Sequence, residues 1–148
     1  KTWHLVFVAV VIVLAIGQKI YSSMWTKATV KIGGQELHVL VADTYDHRLQ
    51  GLSGKKDMGK YGGMLFVFPN AGRPVMVMRD MRFPLDIIWI DGTKIVDIAP
   101  NLLPEPDRVE ADLTQYQART TSTLVLELPG GFMEQYNLKI GDEIEIVK

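Results

Sequence analysis

The N-terminus carries an apolar run that restricts what this part of the chain can become. Residues 3–16 read WHLVFVAVVIVLAI; they bear no formal charge, and His4 is the one polar side chain among them. A helix of this composition lacks a polar face, so it needs apolar surroundings on every side. From about Thr26 onward the polarity is that of an ordinary globular domain. We therefore divide the chain into an N-terminal segment, residues 1–25, and a globular domain, residues 26–148.

The N-terminal segment has the length of a single membrane span. Trp3 and Trp25 lie 22 residues apart, roughly 33 Å of helix, which is about the thickness of a bilayer core. Aromatic residues at both ends suit the two interfaces, and Lys19 can extend its ammonium group toward water. We therefore expect a retained transmembrane anchor. The side chains expected to contact lipid are Trp3, Leu5, Val6, Phe7, Val11, Ile12, Leu14, Ile16, Tyr21 and Trp25.

Two other interpretations of this segment stay open. A strictly apolar run of 14 residues also fits the core of a signal peptide, and Ala15-Ile16-Gly17 offers small residues for cleavage. The second alternative, a buried helix of a soluble protein, is disfavoured because there is no polar face. The lysines on the two sides of the run give no clear membrane orientation.

Charge and cysteine content exclude several classes of function. The net charge of −1 disfavours a nucleic-acid partner, since phosphate binding needs a basic surplus on one face. The absence of cysteine rules out a disulfide scaffold, thiol catalysis and a cysteine-ligated metal. We expect neither a cofactor nor a metal.

Strand-forming runs separated by turn signals dominate the globular domain. Gly33-Gly34 and Asp91-Gly92 predict hairpins, and Pro69-Asn70 predicts the end of a strand. A mainly β (α+β) fold follows: a small bent or half-closed, barrel-like sheet with two short helices, preceded by the transmembrane helix. The predicted strands are 28–32, 36–42, 64–68, 75–78, 85–90, 94–99, 123–128 and 143–147. One short helix is predicted from Asp43 or Thr44 to Leu49, and the other over 132–136. The predicted loops cover 53–63 and 100–123.

Four ordered motifs carry a resemblance to a known family. They are GMLFVF at 63–68, MRDMRFPLDIIWID at 78–91, VLELPGG at 125–131 and KIGD at 139–142. Together they resemble the bacterial and archaeal family of domain of unknown function 192, over residues 37–147. The resemblance implies a domain that often follows a signal peptide or anchor, and it implies no established reaction. This chain departs from the family pattern at Arg79-Asp80, where Lys-Asn is usual, and at Ser53, where Met is usual.

Asp86 is the charged residue that most needs an explanation. It lies in the run LDIIWI, which we expect to be buried on both faces, and a buried carboxylate is costly unless it is paired. Arg48, Arg79 and Arg82 are the candidate partners. Two interpretations follow: a small polar pocket around Arg79, Asp80 and Asp86, or a structural ion pair.

Signals for catalysis and for metal binding are weak. Ser53 lacks the nucleophile-elbow pattern, and no histidine follows it to act as a base. Thioethers of Met76, Met78 and Met81 suit Cu(I), but flexible apolar side chains more often fill a core. We therefore expect no catalytic residue.

These features together predict a membrane-anchored, non-catalytic accessory or binding subunit. It would be a single-pass protein with a periplasmic or extracellular domain, in contact with lipid and, through its N-terminal helix, with other subunits of a larger membrane complex. One alternative is a small pocket-bearing enzyme or ligand-binding protein that uses Arg79, Asp80 and Asp86. Another is a pilin-like filament subunit, which the lack of an acidic residue in the first helical turns disfavours.

Overall fold

The computed structural model describes residues 2–22 and 24–147, with side chains for 3–18 and 24–147. Strands make up most of the described domain. In chain order the elements are α1 (Thr2–Ser22), β1 (Thr26–Ile32), β2 (Gln35–Ala42), α2 (Tyr45–Gln50), β3 (Gly63–Gly72), β4 (Val75–Met76), β5 (Leu85–Asp91), β6 (Lys94–Leu102), a 3₁₀ turn (Glu110–Asp112), β7 (Tyr116–Gln117), β8 (Ser122–Pro129), α3 (Phe132–Gln135) and β9 (Glu145–Val147).

Seven strands form one sheet that curls toward closure. Their order is β6-β5-β8-β3-β2-β1-β9; β2 and β3 are parallel, and the other neighbours are antiparallel. The segment before β9 returns to the opposite edge, where the Ile95 amide donates to the Asp142 carbonyl (2.9 Å) and the Ile144 amide to the Thr93 carbonyl (2.8 Å). The predicted half-closed β architecture with short helices is confirmed.

Each face of the sheet buries its own apolar cluster, because side chains alternate along a strand. Along β8, Leu126 and Leu128 join one cluster, whereas Val125 joins the other. This second cluster is rich in methionine: it includes Met64, Met76, Met78 and Met81, together with Phe66, Leu85, Ile87 and Trp89. The short antiparallel ribbon of β4 and β7 contributes Met76 and Tyr116 to it.

Local sequence accounts for the turn and helix ends that were predicted. Gly33 and Gly34 adopt positive φ angles of 57° and 74°, which suit the turn between β1 and β2 because glycine has no Cβ to clash. Thr44 caps α2, its Oγ1 accepting a hydrogen bond from the His47 amide at 3.1 Å. Gly51 ends that helix with φ 50°.

Several predicted boundaries were wrong, including the end of β6, which was predicted at residue 99 and lies at Leu102. β3 continues through Pro69 to Gly72, and its pairing with β8 shifts register between Val67 and Gly72; such an irregularity accommodates a residue that has no amide hydrogen to donate. The strand predicted over 75–78 is limited to Val75–Met76, and it pairs with β7 inside the predicted loop 100–123. The last strand covers 145–147, with Glu143 in an isolated bridge to Lys94.

The apolar N-terminal run forms α1, and its side chains are exposed. From Trp3 to Ile16 its large apolar side chains are between 48% and 86% exposed. The side chain of Tyr21, one of the predicted lipid contacts, lies outside the described residues. A search of the described part of the chain finds no helix with the length and apolarity required to cross a membrane.

Candidate functional site

A cavity of about 200 Å³ opens beside the C-terminal end of α2. It lies over the methionine-rich face of the sheet, and we call it the Glu127 pocket. Its walls are mainly apolar, from Leu52, Phe66, Phe68, Val75, Met76 and Met81, and its polar lining includes Arg48, Ser53, Arg79 and Glu127. Apolar walls with a few polar groups are typical of small-molecule sites.

Glu127 is the buried acid of this pocket. It lies on β8 between its neighbours Met64 on β3 and Ile87 on β5, and it is 4% exposed. Its Oε2 atom has no hydrogen-bond partner among the described residues. Burial raises the pKa of Glu127 to about 8, because removal from water disfavours the charged form. This raised pKa favours the neutral form of the Glu127 carboxyl group at pH 7.

Arg48 on α2 is fixed at the pocket by contacts on one side of its guanidinium group. Nη1 donates to the carbonyls of Asp43 (2.8 Å) and Val67 (2.9 Å), and the guanidinium carbon lies 5.6 Å from the centroid of the Phe68 ring. Nε and Nη2 make no hydrogen bond to another described residue. Arg48 therefore presents oriented donors to a ligand.

Arg79 is the second guanidinium group at the pocket, and all three of its side-chain nitrogens donate hydrogen bonds to other residues. Its Nε donates to Glu110 Oε2 at 2.6 Å, its Nη2 donates to Glu110 Oε1, and its Nη1 donates to the Leu49 carbonyl at 3.1 Å. The hydrogen bond from Arg79 lowers the pKa of Glu110. Ser53 Oγ donates to the Arg79 carbonyl at 3.0 Å. These bonds tie the end of α2 to the 3₁₀ turn.

Asp86 lies apart from this pocket and binds backbone amides. Its Oδ1 accepts from the amides of Asn101 (2.7 Å) and Gly131 (3.1 Å), and its Oδ2 accepts from the Met133 amide (2.6 Å). These three donors take the place of the arginine partner expected from the sequence. The carboxylate connects β5 to β6 and to the turn that begins α3.

The structure therefore divides the five residues of the predicted polar site. Arg48 and Arg79 line the Glu127 pocket, and Asp86 is fully buried elsewhere. Asp80, with φ 51°, lines a separate cavity of about 180 Å³ together with Arg79, and Arg82 is exposed. The predicted combination of Arg79, Asp80 and Asp86 in one pocket is not present.

Glu127 was not singled out in the sequence, although a signal was available. It stands between Leu126 and Leu128 in the motif VLELPGG, in the same way that Asp86 interrupts LDIIWI. A lone acid in an apolar strand is compatible with a wet outer face, and this is why alternation alone does not reveal burial. Met76 and Met81, considered as soft-metal ligands, line the pocket, and in the described part of the chain no group of three or more His, Asp or Glu side chains is placed to hold a metal.

The fold is a small, half-closed β domain, and the Glu127 pocket is one of the cavities in its described part. The chain belongs to the family of domain of unknown function 192 (DUF192, described as an uncharacterized ACR), whose model matches residues 28–146. No curated protein sequence matches the chain.

Two solved structures share this fold. One is a Sinorhizobium meliloti protein described as a "putative transcription regulator", with a TM-score of 0.72 and 27% identity; the match covers 82% of this chain and 95% of that one. The other is a protein of unknown function from Novosphingobium aromaticivorans, with a TM-score of 0.68 and 27% identity, covering 82% and 84% of the two chains.

Proposed function

We propose that the globular domain binds a small ligand in the Glu127 pocket and does not catalyse a reaction. The observation that carries this proposal concerns the buried Oε2 atom of Glu127. It has no hydrogen-bond partner among the described residues, although a buried polar group without one has a high cost. A carboxyl group without a protein partner does not stabilise the fold, so a ligand is the reason we offer for its presence.

The surroundings of Glu127 favour binding over catalysis. The hydroxyl group that lines the pocket, that of Ser53, already donates its hydrogen bond to the Arg79 carbonyl. General acid–base catalysis by Glu127 would require a positioned second group that exchanges a proton with the substrate. Arg48 and Arg79 are permanently charged, so they can hold a ligand but cannot exchange protons at neutral pH.

We also propose that α1 holds this domain at a membrane as a single-pass anchor. The support is the uninterrupted exposure of its large apolar side chains from Trp3 to Ile16, since a surface of this kind is unfavourable in water. Lipid, and the helices of other membrane subunits, would cover it. The family resemblance favours a periplasmic or extracellular domain. The protein would then be an accessory subunit that presents the pocket at a membrane surface.

Ligand binding is tested by blocking the pocket from its rim. Val75 lines the pocket and is 45% exposed, whereas Val109 is 64% exposed and lies outside it. A panel of amino acids, amines, carboxylic acids, alcohols and sugars is screened against the full chain in detergent by NMR chemical-shift changes. We expect at least one compound to shift resonances around Glu127, with the response lost in Val75→Trp and kept in Val109→Trp. A panel that shifts no pocket resonance would contradict the proposal.

The anchor is tested by flotation with phospholipid vesicles. Val10 and Val13 are 50% and 67% exposed on α1, and each aspartate placed near the centre of a membrane helix costs about 3 kcal/mol. We expect the wild-type chain to float with the vesicles and the double variant Val10→Asp/Val13→Asp to stay at the bottom of the gradient. Val109→Asp, on the domain surface, is the control. Equal flotation of both proteins would contradict anchoring by α1.

A further inference from the structure

The Glu127 pocket has polar groups of opposite character on different parts of its lining. Glu127 supplies an acid without a hydrogen-bond partner among the described residues, and Arg48 supplies the donors Nε and Nη2, which bind none of those residues. A neutral Glu127 carboxyl can donate or accept, and Arg48 only donates. A ligand that engages both strongly carries a hydrogen-bond donor, or a positive charge, for Glu127 and an acceptor, or a negative charge, for Arg48.

The charges disfavour a ligand with only one of these two groups. A simple cation could pair with the Glu127 carboxylate, but the positive charge of Arg48 on the same lining would repel it. A simple anion could pair with Arg48 and accept a hydrogen bond from a neutral Glu127 carboxyl, but it would leave the acceptor capacity of that carboxyl unused. A molecule that carries both charges avoids both penalties.

The dimensions of the pocket limit the size of the ligand. A volume of about 200 Å³ equals roughly seven water molecules at ~30 Å³ each, so it suits a molecule of amino-acid size. The side chains of Phe66, Met76 and Met81 provide contacts for a few methylene groups between the two charged ends.

We infer that the pocket binds a small zwitterion, an aliphatic amino acid whose ammonium group contacts Glu127 and whose carboxylate contacts Arg48. This inference rests on the proposed function, since it specifies the ligand of the same pocket. On binding, Glu127 releases its proton to solvent and forms an ion pair with the ammonium group. The guanidinium group accepts no proton in this step and binds the carboxylate through Nε and Nη2, a paired geometry that arginine favours.

Three probes of the same carbon length test this inference: 4-aminobutanoate with both charges, butylamine with the positive charge alone and butanoate with the negative charge alone. L-Valine is added as a zwitterion with its charges on one carbon. Binding to the full chain in detergent is measured by calorimetry at pH 7. We expect at least one zwitterion to bind at least about 10-fold more tightly than butylamine and butanoate, because it makes charge-assisted hydrogen bonds at both ends.

Variants of Glu127 and Arg48 test which pocket residue contacts each end of the ligand. We expect Glu127→Gln to weaken zwitterion binding at least 10-fold and Arg48→Gln to reduce it to the level of butylamine, with partial recovery in Arg48→Lys. Arg82→Gln, at an exposed position outside the pocket, should leave binding unchanged. Thermal unfolding of each variant checks that it is folded.

The results separate this inference from the proposed function. If butylamine or butanoate binds in the pocket as tightly as the zwitterions, the zwitterion inference is overturned and the ligand-binding function stands. If the zwitterions do not bind but the wider panel yields a pocket ligand of another class, the zwitterion inference is again overturned and the ligand-binding function again stands. If neither these probes nor the wider panel shifts any pocket resonance, both the zwitterion inference and the proposed function are overturned.

Discussion

The indole ring of Trp25 stacks on the imidazole ring of His47, with centroids 4.1 Å apart and planes inclined by 14°. Trp25 directly precedes β1, and His47 lies on α2 next to Arg48. This contact therefore joins the segment that follows the N-terminal helix to the helix that supplies the arginine of the Glu127 pocket. His47 is 5% exposed, and neither of its ring nitrogens has a hydrogen-bond partner among the described residues, so aromatic packing is its main interaction.

Loss of this stack should destabilise the domain. We expect Trp25→Ala to lower the free energy of unfolding by about 1–3 kcal/mol, since it removes both the ring contact and buried apolar area. Urea unfolding followed by circular dichroism in detergent measures the change. Trp3→Ala, at a position 86% exposed on α1, is the matched control and should leave the urea midpoint unchanged. Equal midpoints for Trp25→Ala and the wild type would show that the stack does not hold α2.

The buried acid should make stability depend on pH in an unusual direction. The pKa of Glu127 is raised to about 8, whereas the unfolded chain releases this proton near pH 4.5. The folded state therefore binds more protons between these values, and stability falls as the pH rises from about 4.5 to 8. Glu127→Gln removes this titration.

The comparison of Glu127→Gln with the wild type across pH isolates this effect. We expect the variant to gain about 3–5 kcal/mol relative to the wild type between pH 4 and pH 8.5. Chemical denaturation at several pH values measures the difference. A constant difference between the two proteins across this range would mean that Glu127 titrates normally in the folded state.

A second carboxylate, that of Asp97, should make the domain less stable as the pH falls. Asp97 accepts hydrogen bonds from the Arg119 side chain and from the amides of Arg119 and Ile98, which lower its pKa from 3.8 to about 2. Its contribution is fully present above about pH 4 and is lost as the pH falls toward 2. We expect Asp97→Asn to remove about 1–2 kcal/mol of stability at pH 6 and to flatten the acid side of the stability profile. An acid profile unchanged by the substitution would contradict this assignment.

Asp86 should be among the most sensitive positions in the domain. The Asp86 carboxylate accepts hydrogen bonds from three backbone amides. An asparagine there would place its NH₂ group against at least one of these N–H donors. We expect Asp86→Asn to cost about 2–3 kcal/mol, measured by thermal and urea unfolding. Asp107→Asn, at an exposed position with φ 66° that asparagine also adopts, is the control. A variant as stable as this control would show that the amides do not need a charged acceptor.

The backbone beneath the pocket should tolerate no added atom at Gly63. A Cβ there would lie 2.5 Å from the Glu127 carbonyl oxygen, whereas one on Gly72, on the same strand, would have nothing within 4 Å. We expect Gly63→Ala to cost about 1–3 kcal/mol through overpacking and Gly72→Ala to change stability by less than about 0.5 kcal/mol. Equal stability of the two variants in urea would contradict the close approach of β3 and β8.

The fold was largely predictable because its signals are local. Gly33-Gly34 and Asp91-Gly92 specify hairpins through backbone conformations that few other residues adopt, and Thr44 caps α2 with its own side chain. The errors at Pro69 and in the region 100–123 concern β3 and the two-residue strands of the ribbon. Their pairing depends on contacts between distant parts of the chain, which no local pattern encodes.

The site was less predictable, for a physical reason that Asp86 and Glu127 share. The apolar run LDIIWI predicted that Asp86 is buried, but it does not show which group lies opposite the carboxylate. For Asp86 the partners are backbone amides, whose positions depend on the turn before α3. For Glu127 no described group is a partner, and alternation along β8 makes it resemble an outward-facing residue. The partners of Asp86 and the burial of Glu127 are both determined by tertiary packing.

The most direct test of the central claim is the titration of the Glu127 carboxyl group itself. It is followed by the chemical shift of its ¹³C-labelled side chain, with Glu127→Gln used for assignment. We expect a pKa near 8 in the ligand-free chain and a lower pKa in the presence of saturating 4-aminobutanoate, because an adjacent ammonium group favours the carboxylate. A ligand-free pKa near 4.5, or a raised pKa that no compound of the panel alters, would contradict the assignment of Glu127 as the acid that binds the ligand.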